Sequence, residues 1–239
     1  MSGSQMSTLT PDVFPLVDVS LTAIERARIV LIAASCLISA ALSAEAQVPV
    51  RIQSDVVYGH KDGMALTLDV FHPAKTNGAG VLFMQSGGWY SIWTEPASLL
   101  PAFQPLLDHG YTVFCVYHGS APRYVVPEAV ADVRRAVRFV RLHAAELGVG
   151  PERLGVLGGS AGGHLTLMLA TTGDDGDAKS ADEVLRQPSR VAAAVAMYPP
   201  TDLRTWVSDP PEAVRKIPGL KAPLSFPLAQ ARMPHSRRP

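Results

Sequence analysis

Hydrophobic and polar positions change period several times along the chain, and each change marks an element. From Val50 they alternate through Ile52, Val56 and Tyr58, break between His60 and Gly63, and resume with Met64, Leu66, Leu68 and Val70. Period two on both sides of an Asp-Gly pair predicts a β-hairpin. Val81, Leu82, Phe83 and Met84 form a continuous apolar run, the pattern of a strand buried on both faces. Residues 97–109 set Leu99, Leu100, Phe103, Leu106 and Leu107 on one side, with Gly110 as the stop signal, and predict a helix. A second buried strand covers 111–117. Pro127 then opens a helix expected to reach about Leu147, in which Val130, Val133, Val137 and Val140 recur at helical spacing. Its Arg134, Arg135, Arg138 and Arg141 are assigned to a solvated face. An apolar run up to Leu157, a glycine-packed turn and a second apolar run to Ala170 read as strand, turn and helix. A polar loop at 173–180, a short helical stretch to about Arg186 and a buried strand at 191–198 continue the alternation. Strands separated by helices of about twelve or more residues predict an α/β fold: a mostly parallel sheet, helices on both faces, and the hairpin at its start. Such sheets bind ligands beyond the carboxyl ends of their strands.

The turn between the strand ending near Leu157 and its helix holds Ser160 between Gly158 and Gly162. Serine in that spacing and that context is a G-x-S-x-G nucleophile elbow. The turn is so tight that side chains two residues to either side would collide with strand or helix, and the serine hydroxyl is pushed out above the sheet. Other glycine motifs fail on spacing. A phosphate loop needs Lys where this chain has His164, and a dinucleotide fingerprint needs glycine where it has Ser160. A second glycine pair, Gly87 and Gly88, follows the 81–84 strand and lets main-chain amides approach a ligand, as an oxyanion hole requires. Trp89, Tyr90 and Trp93 beside it are read either as a wall of the substrate pocket or as packing for the loop. His118, just past its strand, is a candidate pocket residue. His60, His72, His109 and His143 are expected to be solvated.

Composition narrows these readings. The chain has 239 residues, 47% of them hydrophobic and 18% charged, with a formal net charge of zero. That is enough for one domain with a sizeable core. No basic run interleaved with aromatic residues suggests a nucleic-acid surface. Residues 29–42 carry no charge and are followed by Ala44 and Ala46, the small residues a signal peptidase needs, so a mature start at Gln47 and a secreted or periplasmic protein are expected. The alternative is a membrane anchor formed by residues 29–46; no obligate membrane partner is expected. Removal of the signal, which contains Cys36, leaves Cys115 in an apolar strand, with no intrachain disulfide and no cysteine metal cluster.

The stretch from about Ile52 to Leu203 resembles the α/β-hydrolase superfamily, and within it esterases of the hormone-sensitive-lipase and acetyl-xylan/feruloyl-esterase type. Gly158 through His164 carries the resemblance. So do Ser86, Gly87, Gly88 and Trp89, which look like that family's His-Gly-Gly-Gly-Trp loop, the helix pattern from Pro127 to Arg141, and Tyr198 through Leu203. The resemblance implies an α/β-hydrolase fold, Ser160 as nucleophile, and the amides of Gly87, Gly88 and Ala161 as oxyanion donors. It also implies a small-molecule or carbohydrate ester as substrate, and neither cofactor nor metal. Gln85 and Ser86 stand where the family has His and its first Gly. An acid and then a His are expected after the nucleophile, each beyond a later strand. Residues 206–220 read as a helix or part of a cap, and 222–239 show no alternation. The expected organisation is therefore a leader at 1–46, an incomplete hydrolase domain at 47–221 and an irregular tail at 222–239. His235, His164 and His118 are the candidate bases. Asp202 and Asp209 are the candidate acids, Asp202 being read first as a helix N-cap. Two functions follow: a serine ester hydrolase, or a truncated or catalytically silent homologue without a complete triad. The oligomeric state is left open.

Overall fold

The computed structural model describes residues 50–203. The expected leader, Cys36, Asp209, the 206–220 segment, His235 and the tail lie outside the described residues. The hairpin forms as its pattern requires. Strand β1 (Arg51–Lys61) pairs antiparallel with β2 (Met64–His72), and Lys61 lies opposite Met64. Only Asp62 and Gly63 separate the strands, at φ 47° and 80°. Two successive positive φ values define the turn whose twist matches paired strands, which is why Asp-Gly stands there.

Among the described residues the remaining strands are β3 (Gly80–Met84), β4 (Thr112–Val116), β5 (Leu154–Gly159) and β6 (Ala193–Met197). The sheet order is β1-β2-β4-β3-β5-β6. Pairing is parallel for β4 with β3, β3 with β5, and β5 with β6. Helices α1 (Pro96–Asp108), α2 (Val126–Leu142) and α3 (Ala161–Thr172) make the crossovers between parallel strands. Two hydrophobic cores result. Leu82, Phe114, Val116 and Val156 meet Val133, Val137 and Val140 of α2 and Leu165 and Leu169 of α3 on one face. Phe71, Val113, Cys115 and Tyr117 meet Phe103 and Leu107 of α1 on the other. Successive residues of β4 therefore serve opposite cores, and its unbroken apolar run follows from that. Each fully buried Val or Leu in these layers contributes about 1.5–3 kcal/mol. Among the described residues no helix is long and apolar enough to cross a membrane.

The structure departs from the sequence pattern in five places. Helix α2 stops at Leu142 instead of Leu147. Ala144 and Leu147 remain buried and keep the helical period, but their segment is a series of turns closing on Gly148, at φ 72°, which redirects the chain toward β5. The arginines of α2 are not a solvated face. Arg141 is buried and donates to the carbonyls of Pro151, Pro188 and Arg190, Arg138 pairs with Asp174, Arg135 with Asp182, and Arg134 reaches Thr172. They clamp the 173–190 loop across the helix, and that loop has turns where a short helix was expected. The expected buried strand at 191–198 is β6, but Val195, Met197 and Tyr198 are exposed, because β6 is the edge strand among the described residues. Finally, His72, expected to be solvated, is half-buried on β2, and its Nε2 has no hydrogen-bond partner among the described residues.

Candidate active site

Ser160 is the single residue between β5 and α3, with φ 52° and ψ −121°. For a residue with a side chain this conformation costs on the order of 1–3 kcal/mol and persists only where its surroundings over-determine it. Here they do. The Ser160 amide donates to Met197 O at 3.0 Å, and its carbonyl accepts from the His164 amide at 2.9 Å. A Cβ at Gly158 would run into the Gly162 carbonyl and lie 2.9 Å from Thr166 Oγ1; one at Gly162 would run into Met84 O. The two glycines are thus required by backbone crossing backbone. The side chain of Ser160 does not cap the helix, and no described residue hydrogen bonds to its hydroxyl. The first turn of α3 has no acidic residue, so no side chain of that turn offsets the positive end of its dipole beside Ser160.

The glycine loop meets the elbow from β3. The Gly162 amide donates to Ser86 O at 3.2 Å. Gly87 and Tyr90 exchange hydrogen bonds of 2.9 and 3.0 Å around Gly88 and Trp89, at φ 58° and 61°. This is a two-residue primed turn. The Gly87 amide is already committed to Tyr90 O, whereas the amides of Gly88 and Ala161 have no acceptor among the described residues.

The aromatic residues sort clearly. Trp89 is only 2% exposed, packs in the main core, and donates Nε1–H to His164 Nδ1 at 3.3 Å. It is not a pocket wall, and its packing holds the left-handed turn in place. His164 is buried, and burial lowers its pKa; with Nδ1 accepting from the indole it joins the glycine loop to α3 and offers Ser160 no free lone pair there. Tyr90 is half-buried against the same core, and Trp93 is exposed. His118 lies behind the pocket surface, with Nε2 2.8 Å from Ser86 Oγ and Nδ1 2.9 Å from Gly119 O. Asp202 is exposed beyond β6, and the helix it was expected to cap would lie outside the described residues.

A cavity of about 350 Å³ opens between the two turns, bounded by Phe83, Ser86, Gly87, Ser160, Met197 and Tyr198. It lies at the carboxyl ends of β3, β5 and β6, where α/β sheets bind ligands. A more apolar hollow of about 430 Å³ sits against Ala79, Leu154 and Ala193, at the amino ends of the same strands and away from Ser160. Met197 and Tyr198 were not singled out from sequence as cavity residues; their signal was position alone, at the end of a strand parallel to the one that carries the elbow. Among the described residues no group of three or more His, Cys, Asp and Glu side chains is placed to hold a metal ion.

Comparison with known proteins bears on this geometry. The sequence model of the BD-FAE family matches residues 68–227. A protein of Mycobacterium tuberculosis named probable carboxylic ester hydrolase LipM is 32% identical over 147 residues, 60% of this chain and 33% of the relative. Esterase LipQ of the same organism is 30% identical over 51% of this chain and 30% of its own length. The chain thus spans about a third of the length of these relatives. Among solved structures, the esterase Est2 of Thermogutta terrifontis superposes with a TM-score of 0.50 at 29% identity, covering 64% of this chain and 54% of that one. A carbohydrate esterase from gut microbiota superposes with a TM-score of 0.55 at 24% identity, over 66% and 60% of the two chains, a likeness of fold.

Proposed function

The chain belongs to the BD-FAE family, with an α/β-hydrolase fold, and from that premise we propose that it hydrolyses carboxylic esters with Ser160 as nucleophile. The observation that carries the reading is the strained Ser160 at φ 52°, whose hydroxyl has no partner among the described residues, beside the amides of Gly88 and Ala161, which have no acceptor among them. Ser160 Oγ attacks the acyl carbon while an imidazole takes its proton. The carbonyl oxygen, now anionic, receives the amides of Gly88 and Ala161 and the end of the α3 dipole. Expulsion of the alcohol leaves an acyl-serine that water hydrolyses. Among the described residues His118 and His164 are directed at Ser86 and Trp89 rather than at Ser160.

The size of the cavity and its Phe83, Met197 and Tyr198 walls suit a short acyl group. The names of the relatives, carboxylic ester hydrolase and esterase, support the same bond class. The uncharged 29–42 run with Ala44 and Ala46 supports export, and with it a secreted or periplasmic ester, including an acylated carbohydrate. One observation favours a second reading, a catalytically silent homologue: no described imidazole reaches Ser160. Turnover of p-nitrophenyl acetate by the full chain decides between them. The proposal expects hydrolysis that Ser160→Ala reduces by at least about a hundredfold. Equal background rates from both folded proteins would leave the silent reading.

A further inference from the structure

The described residues do contain one serine–imidazole pair with the geometry of an activated nucleophile, and it is not at the elbow. Ser86 Oγ lies 2.8 Å from His118 Nε2, and Ser86 borders the same cavity as Ser160. The protonation pattern follows from the partners. Gly119 O can only accept, so His118 Nδ1, 2.9 Å away, carries the ring proton. Nε2 then holds the lone pair, and the Ser86 hydroxyl donates to it. Burial lowers the pKa of His118, which keeps the ring neutral and its Nε2 lone pair unprotonated.

The pair is held from several sides. The Gly119 amide donates to Asp132 Oδ2 at 2.9 Å, and Lys61 Nζ sits 3.1 Å from both oxygens of that carboxylate, so the residue whose carbonyl orients the ring is anchored at its amide. The His118 amide donates to Ser91 Oγ at 3.1 Å, and Ser91 Oγ donates to Gln85 O at 2.7 Å. Ser86 O accepts from the Gly162 amide, which ties the pair to the elbow itself. A hydroxyl, a neutral imidazole and a fixed acceptor on the far ring nitrogen are the three parts of base-assisted nucleophilic catalysis, with a backbone carbonyl where a carboxylate often stands.

We propose that Ser86 is a second covalent site of this protein, a nucleophile activated by His118 that takes small acyl or phosphonyl groups from electrophiles entering the shared cavity. In that step the Ser86 Oγ–carbon or Oγ–phosphorus bond forms and the hydroxyl proton passes to His118 Nε2. The bond to the leaving group then breaks; a departing alkoxide takes the proton back, whereas fluoride leaves as the anion and His118 gives the proton to water. The amide that follows Ser86 is that of Gly87, already bound to Tyr90 O. Ser86 thus lacks the adjacent oxyanion donor that Ala161 provides for Ser160, and reacts more slowly, by about 10²-fold for one missing donor. The site goes beyond the function proposed for Ser160 and does not depend on it.

The test treats the full chain and its Ser160→Ala variant with a fluorophosphonate, followed by peptide mass mapping, with circular dichroism to establish the fold. The inference expects Ser160→Ala to form an adduct on Ser86 at least about 10²-fold faster than on the exposed Ser54 of the same molecules, the scale of general-base assistance. Adding Ser86→Ala removes that adduct, and adding His118→Gln slows it to the Ser54 rate. If His118→Gln does not fold, the ratio of Ser86 to Ser54 labelling in Ser160→Ala still decides. A folded Ser160→Ala chain that labels Ser86 no faster than Ser54, or a folded His118→Gln variant that labels it as fast as before, overturns the inference. Loss of the Ser160 adduct from the unsubstituted chain would count against the elbow nucleophile and leave the Ser86 result standing.

Discussion

Replacing Gly162 by alanine tests how the elbow is built, because two effects of opposite sign compete. Gly162 is the second residue of α3, and alanine in a helix is favoured over glycine by up to about 1 kcal/mol. Against that, the added Cβ would strike Met84 O, a main-chain atom at the end of β3. No rotamer change relieves a contact with backbone, so α3 must move away from β3. Overpacking of this kind costs typically 1–3 kcal/mol. Even with the full propensity gain, a net loss of up to about 2 kcal/mol is therefore expected in urea denaturation. A shift near 1 Å between Ala161 and Gly88 would lower turnover about a hundredfold. Gly87→Ala is the internal control, since a Cβ there meets nothing within 4 Å and its φ is not in the left-handed range. It should leave stability within about 0.5 kcal/mol of the parent. A Gly162→Ala protein at least as stable as the parent would refute the backbone-crossing account of the elbow.

Three further outcomes are expected. Trp89→Phe keeps the aromatic packing but removes the donor to His164 Nδ1, and should cost about 1–2 kcal/mol in urea denaturation; an unchanged midpoint would show that the contact does not hold the turn. Arg141→Met leaves the carbonyls of Pro151, Pro188 and Arg190 without their shared donor, and a loss of about 3 kcal/mol is expected, with the 173–190 loop becoming sensitive to protease; no change in either would contradict the clamp. Stability should also fall on acidification, because burial lowers the pKa values of His72, His118 and His164 below the ordinary 6.5. The unfolded chain takes up protons near that value while the fold refuses them, so their contribution is full above it and declines as pH falls toward the folded values. Asp69, whose carboxyl burial pushes up, acts in the opposite sense and lessens the slope. A urea midpoint that rises between about pH 7 and pH 5.5 would contradict the burial of these imidazoles.

What was legible in the sequence had local causes. The Asp-Gly turn, the two-faced apolar run of β4 and the glycines around Ser160 each express a constraint within a few residues, and each stands in the structure as read. The misreadings share a different origin. Arg141 looks solvated on a helical wheel because the carbonyls that receive it come from residues 151, 188 and 190. Gly87 looks like an oxyanion donor until the chain closes its turn on Tyr90. Trp89 beside a glycine pair suggests a binding wall, yet its ring is claimed by His164, 75 residues away. Ser86 showed only as a departure from the family loop, and its partner His118 as a residue near a strand end. Pairing them required the β3–β4 register, which brings the ends of those strands together at Met84 and Val116.

The most direct test of the central claim is to quench the full chain with p-nitrophenyl acetate within the first turnover and map the acetyl group. The account predicts acetylation of the β5–α3 peptide at Ser160, absent from the Ser160→Ala variant. Release of p-nitrophenol with no acetyl group at Ser160, or with the group on Ser86 alone, would contradict it.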